Sequence, residues 1–268
     1  MANLIIVSSL IFIVAVAMTM VGKGGGNFYV VILAMANIPM HEAATTGQFI
    51  LFSASVAAMI IFQKNKSVSW RLALLFGIVT ALSALGGGYF SHLFSAFSLK
   101  LIFAVMLLIA GIIMLIPVSE NKAMSENNHF GIIKIKSGKE MYSINLWIAL
   151  PVTLLTGFGS GMVGVSGGSF LVPLMVLACR VPMHTAVGTA SVLIAATALT
   201  GFTGHAIQGD FNPSWAVPLA FVTIIGGVVG GKFALKAKPK HLKKLFAYTN
   251  WLAALFMLFN ALHTKGIV

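Results

Sequence analysis

Six stretches of this chain, 41–62, 70–91, 98–117, 184–206, 213–235 and 243–263, are long and apolar, with charge only near their ends. At about 1.5 Å per residue, each makes a helix of about 30 Å, enough to cross the hydrocarbon of a bilayer. Such segments do not fit into one soluble core. The composition agrees: 59% of the 268 residues are hydrophobic and 8% are charged, against about 25% charged in ordinary soluble domains. The runs are continuous and do not alternate, which argues against a β-barrel. The expected class is therefore an all-α polytopic membrane protein, with the lipid bilayer as its first partner. Cys179 is the single cysteine, so neither an intramolecular disulfide nor a cysteine-cluster metal site is expected, and no metal or cofactor is implied. A net charge of +12 raises nucleic acid as a partner, but in a membrane protein Lys and Arg collect in cytoplasmic loops. The opening "MANLIIVSSLIFIVAVAMTM" has no basic start, runs too long for a signal peptide and is followed by no ordinary cleavage site. It reads as a retained helix.

The chain repeats itself. "NIPMHEAATTG" (37–47) and "RVPMHTAVGTA" (180–190) share Pro-Met-His, and Pro39 and Pro182 stand 143 positions apart. The same offset aligns Gly24-Gly25 with Gly167-Gly168, Val79-Thr80 with Val222-Thr223, Gly87-Gly88 with Gly230-Gly231, and Phe103-Ala104 with Phe246-Ala247. Two homologous membrane repeats (1–117 and 144–268) are expected, joined by a polar cytoplasmic linker (118–143). Each opens with a glycine-broken apolar element (4–37 and 144–179) and continues through three plain spans.

Loop charge orients the halves. The loop 63–71 carries Lys64, Lys66 and Arg71, whereas its counterpart 206–214 carries Asp210 and no Lys or Arg. The next pair reverses this: 92–100 has only Lys100, and 232–244 has six lysines. By the positive-inside rule, equivalent loops then lie on opposite sides, so the repeats are inverted, an arrangement common in secondary transporters. Inversion requires the broken element to cross an even number of times, hence a re-entrant helix pair. All Lys and Arg except Lys23, Lys100 and Lys265 then fall inside.

Non-helical backbone at membrane depth survives only where protein or water covers it, and paired breaks in corresponding positions point to a transporter's binding site. The first break is Gly22-Lys23-Gly24-Gly25-Gly26-Asn27; the second is Gly164-Val165-Ser166-Gly167-Gly168-Ser169. A helix starting after each break offers free N–H groups and a positive dipole end to an anion. The candidate substrate-binding residues are Lys23, Gly24, Gly25, Gly26, Asn27, Ser166, Gly167, Gly168 and Ser169. The helices after Pro39 and Pro182 add Thr45, Thr46 and Gln48, and Thr185, Thr189 and Ser191. Glu42, His41 and His184 are candidates for proton coupling. Each has a structural alternative. Glycines permit close helix packing, as expected for Gly86-Gly87-Gly88, Gly226-Gly227 and Gly230-Gly231. Ser and Thr bond their own preceding turn, and Lys23 can snorkel. His41 and His184 can serve as caps, and Glu42 is favoured at a helix start.

The duplicated break, the proline before the next helix and the pattern Ala186 to Ser191, "AVGTAS", resemble the TauE/SafE family of sulfite exporter-like permeases. "GSGMVGVSGGSFLVPLMVLACRVPMHTAVGTAS" (159–191) carries most of the likeness. The resemblance implies transport, usually outward, of small anions such as sulfite, sulfoacetate or related sulfonates, in the multi-pass plasma membrane of a bacterium. The first repeat departs from the family pattern, with Lys23 before its glycines and "HEAATTGQ" in place of "AVGTAS".

The expected function is a secondary anion transporter. An uptake permease or channel of the same fold is the alternative, and homo-oligomerisation is left open. An intramembrane serine protease using Ser166 and His205 is weighed because Gly164 to Gly167 matches G-x-S-G. A nucleophilic serine needs a base in reach, and the first break has no such serine.

Overall fold

The computed structural model describes residues 2–36, 38–90, 96–115, 131–137, 140–163, 167–207 and 211–264. The first half holds α1 (Ala2–Met20), α2 (Gly26–Met35), α3 (Met40–Lys64), α4 (Trp70–Phe90) and α5 (Ala96–Leu115). A hairpin, β1 (Ile132–Ser137) with β2 (Glu140–Asn145), precedes the second half. There follow α6 (Leu146–Val163), α7 (Gly168–Pro173) with a π-helical turn (Leu174–Ala178), α8 (Met183–Ala206), α9 (Pro213–Lys236) and α10 (Pro239–Thr264). Among the described helices, four are long and apolar enough to cross a membrane: Glu42–Lys64, Trp70–Gly87, Met183–Ala206 and Pro213–Lys236.

Local chemistry sets the element ends. Pro39 and Pro182 share one backbone geometry, with φ near −50° and ψ of 142°. Their rings fix φ and offer no N–H, which suits the entrance of a helix. Each carbonyl accepts the first helical hydrogen bond, from Ala43 and from Ala186. Before α9, Asn212 accepts from the Ser214 N–H at 3.0 Å, an ordinary side-chain cap, with Pro213 at the first helical position.

The helices pair across the halves. The α1 helix packs on α9 as α6 packs on α4, α3 packs on α9 as α8 packs on α4, and α3 meets α8 while α5 meets α10. Exchanging each helix for its counterpart maps this set onto itself. Glycines allow the tightest approaches. A side chain on Gly161 would overlap the Ala84 carbonyl of α4, and one on Gly227 the Ala54 carbonyl of α3. On the same α9 helix, a Cβ at Gly230 would come 2.5 Å from the Val16 carbonyl of α1. Gly86 is an exception to the expected packing faces, for a Cβ there meets nothing within 4 Å.

Contacts give the helix directions. Gln48 lies against Gly201, and Ser67, just beyond the other end of α3, lies against Gly188, so α3 and α8 are antiparallel. Gly111 of α5 lies against Ala247 and Trp251 of α10, while Ala104 and Leu107 share a cluster with Ala253, Ala254 and Met257. This pair is antiparallel too. The loop around Ser67, the start of α8 and the end of α9 therefore meet at one end of the bundle, where His184 Nε2 lies 3.0 Å from the Ala237 carbonyl. Lys64, Lys66, Arg71, Arg180, Lys236, Lys238 and Lys240 all belong to this basic end.

The fold is mostly helical, as expected of an all-α membrane protein, and one short hairpin is added where the polar linker meets the second repeat. Ile132 pairs with Asn145 through to Ser137 with Glu140, and Tyr142 and Ile144 of the hairpin are buried in the main core. Residues 118–130 lie outside the described part. The strand signal is there in the sequence: apolar and polar residues alternate in "IKIKS" and "MYSIN". One expectation is corrected: the repeat offset is not uniformly 143. Helix α2 begins at Gly26 and α7 at Gly168, and Gly25 and Gly167 accept equivalent bonds from Phe28 and Tyr29 and from Phe170 and Leu171. The offset at the break is thus 142, which pairs Lys23 with Val165 instead of Ser166. The π-helical turn Leu174–Ala178 absorbs the extra residue, as single-residue insertions in helices do, and restores 143 at Pro182.

Candidate functional site

The two breaks meet in the middle of the bundle. A side chain on Gly168 would overlap the Gly22 carbonyl and lie 3.1 Å from the Lys23 Cα. Gly24 faces Leu51 and Ser55, near the midpoint of α3, and Ile194, the midpoint of α8, touches both Gly24 and Gly168. Gly22, Gly24 and Gly25 have φ of +74°, +71° and +96°, the left-handed region that glycine enters without a steric cost. From there α2 turns back: its Val30 packs on Gly47, nearer the start of α3. Because α1 runs parallel to α9, with Ala15 on Gly226 and Thr19 on Gly230, the chain approaches and leaves the first break from the end opposite the basic one.

Lys23 is buried at 4% exposure. Its Nζ donates to the Phe246 carbonyl at 3.0 Å and the Thr249 hydroxyl at 2.8 Å, and lies 4.5 Å from the Phe246 ring centre. Lys23 therefore does not snorkel to an interface; it ties the first break to α10 of the second half. Beside it is a space of about 10 Å³ lined by Met18, Lys23, Gly25, Gly26, Phe28, Ser169 and Ala253. That is room for about one water.

Of the predicted residues, Lys23, Gly25, Gly26 and Ser169 share this space, and Gly24 and Gly168 adjoin it. Gly167 lies one residue further, against Thr156. Ser166 and the side chains of Asn27 and His41 lie outside the described part. Thr45, Thr46 and Gln48 are fully buried on α3, with Gln48 turned to Gly201 rather than to the break. The α8 residues are not brought to it. Thr189 accepts from the Ser69 N–H at 3.0 Å, ahead of α4, Ser191 donates to the Gly188 carbonyl of its own helix at 2.6 Å, and Thr185 is half-buried near the basic end. Glu42 is half-buried in the first turn of α3, and His184 bridges to Ala237.

Sequence reasoning missed three groups. The Tyr29 hydroxyl lies where a Cβ on Gly25 would be 3.0 Å away, and Ser55 Oγ lies 3.3 Å from the Cβ position of Gly24. Neither has a hydrogen-bond partner among the described residues, nor does either amide atom of the fully buried Asn250. Asn250 is four residues after Phe246 and three before Ala253, on the α10 face turned to Lys23. Ser55 had a signal, seven residues after Gln48 on one helical face. Tyr29 and Asn250 had none, because their neighbours come from distant parts of the chain. For the protease reading, Ser166 lies outside the described part, and His205 stands about 16 Å along α8 from Ile194, which touches Gly24 and Gly168.

The chain matches the family model described as Sulfite exporter TauE/SafE over residues 7–257. It is 25% identical over 237 residues to the "Probable membrane transporter protein YunE" of Bacillus subtilis, covering 83% of this chain and 85% of that one. It is also 25% identical over 263 residues to a "Probable membrane transporter protein" of Methanocaldococcus jannaschii, covering 92% of both. No solved structure matches.

Proposed function

The chain belongs to the sulfite exporter TauE/SafE family, a multi-pass membrane transporter by that membership, and on this premise we propose that it carries a small anion through the meeting point of its two helix breaks. The observation that carries the reading is the junction itself: Gly168 packed on Gly22, with Lys23, Gly25, Gly26 and Ser169 around one space. The buried Lys23 amine, helix-start N–H groups and a serine hydroxyl make a donor set for an oxyanion. Sulfite, sulfoacetate and related sulfonates suit it.

The present form is closed, because the space at the junction holds about one water. Loading an anion requires the breaks to part and Lys23 to exchange an α10 partner for the substrate. The antiparallel course of α3 with α8 and of α5 with α10 supports two inverted repeats, each entering with a re-entrant pair. Such a frame lets one half rock against the other. With the basic end in the cytoplasm of the cell's inner membrane, a potential negative inside drives anions outward by about 2.3 kcal/mol per charge per 100 mV, so export is the favoured direction.

The test is flux in proteoliposomes with sulfite, sulfoacetate, isethionate and taurine. Lys23→Ala removes a charge-assisted hydrogen bond of about 1.5–3 kcal/mol, so binding and flux of the anionic substrate should fall about tenfold or more. Unchanged flux in that variant would overturn the site.

A further inference from the structure

A second, larger space lies behind α7. A crevice of about 330 Å³ runs between α5, α6 and the α7 segment, walled by Ile109, Ala110, Ile113, Val152, Phe170 and Leu174 among others, with almost no polar surface. Its inner end is at Thr156, which lies against Gly167 of the second break. From there it runs toward the basic end, where α6 begins and the α7 segment finishes. Three residues of the π-helical turn, Leu174, Leu177 and Ala178, line it. The inserted residue that distinguishes this half from the first is thus built into its wall.

Its mouth belongs to the outer apolar belt. Ile109, Ile148 and Leu155 line the crevice and are 49%, 51% and 64% exposed. In a membrane protein that belt faces hydrocarbon, so the crevice opens into the bilayer rather than to water. Toward the basic end, the lining residues Ile148 and Ala178 are followed outward along the chain by Trp147, 68% exposed and packed on Gly131, and by the exposed Arg180, two residues past the π-helical turn. Tryptophan marks the headgroup level, and an arginine there matches a phosphate. Apolar voids of this kind stay dry and take apolar guests.

We infer that this crevice is a binding site for one acyl chain of an anionic phospholipid from the leaflet at the basic end, with its headgroup at the Trp147–Arg180 rim. The chain lies along the outer wall of α7 and props the helix whose first turn carries Ser169.

Two measurements with phosphatidylglycerol test this on the full-length protein. In native mass spectrometry after mild delipidation, the wild type should keep one more phospholipid than the Ala110→Phe/Ala178→Phe variant, whose rings fill the crevice. An equal number in both would overturn the site. Should that variant fail to fold, quenching by phosphatidylglycerol brominated on its acyl chains decides. A tryptophan replacing Ile113 at the mouth should be quenched at lower lipid content than one replacing Leu82 on the open face of α4, and should saturate. Equal, non-saturating quenching would reduce the crevice to ordinary bilayer contact. Displacement of the retained lipid by an alkyl sulfonate would assign the space to substrate and overturn the proposal.

Discussion

Lys23, Tyr29, Ser55 and Asn250 converge on the first break from three helices and a loop, and three of them leave polar atoms unpaired among the described residues. A buried polar group without a partner costs about 1–3 kcal/mol. Groups kept at that cost in a transporter's centre suit a ligand that satisfies them when it arrives. This separates a binding role from a packing role. Tyr29→Phe removes only the hydroxyl, and Asn250→Leu removes both amide atoms at similar volume. If these atoms await a ligand, both variants should keep or raise the melting temperature in detergent while anion flux falls about tenfold, the loss of one hydrogen bond to a charged group. Undiminished flux would remove them from the site. A lower melting temperature with proportionate loss of flux would make them packing residues.

At the scale of elements, the breaks themselves were legible, because a run of glycines inside an apolar segment interrupts the helix that the segment would otherwise form. Their register was legible too, but only locally: Met20-Val21-Gly22 and Phe28 match Met162-Val163-Gly164 and Phe170 at an offset of 142. An even 143-residue offset fits most of the chain, but the π-helical turn at Leu174–Ala178 is a hydrogen-bonding choice made by packing, and no residue in "LMVLA" announces it. The placement of Thr189 and Ser191 was equally hidden. Their sequence gives the residue types, but which neighbour covers each one depends on where the loop at Ser67–Ser69 folds. The hairpin was readable from its alternation and was obscured by the charge of the surrounding linker. Glycine roles also divide at this scale. Gly161→Ala would drive a methyl into the Ala84 carbonyl, whereas Gly86→Ala meets open space. Overpacking costs about 1–3 kcal/mol, so Gly161→Ala should lower the midpoint of thermal unfolding. Gly86→Ala should hold or raise it, since alanine favours helix by about 1 kcal/mol over glycine. Equal effects at the two sites would show that the α4–α6 approach is not a stability determinant.

At the scale of the whole molecule, loop charge and helix direction are independent lines to one arrangement. Charge bias uses only which loops carry lysine; direction uses only which side chains touch. Both put the loops at 63–71 and 232–244 at one end and the start of α9 at the other. That agrees with the inverted frame proposed above, in which equivalent loops of the two halves face opposite sides of the membrane. The native Cys179 is buried, and Cys179→Ala supplies a background without thiols. Single cysteines at Lys66, Lys240 and Ser214, all exposed, then report sidedness in intact cells through an impermeant maleimide. Positions 66 and 240 should label only after the membrane is opened, and position 214 before. Labelling of 66 and 214 from the same side would break the inversion, and with it the reason for reading two breaks as one site. Opposite sides with 66 labelled from outside would keep the inversion but reverse the molecule. The basic end would then face outward against the positive-inside rule, and the outward drive on an anion would have to be argued from the other face.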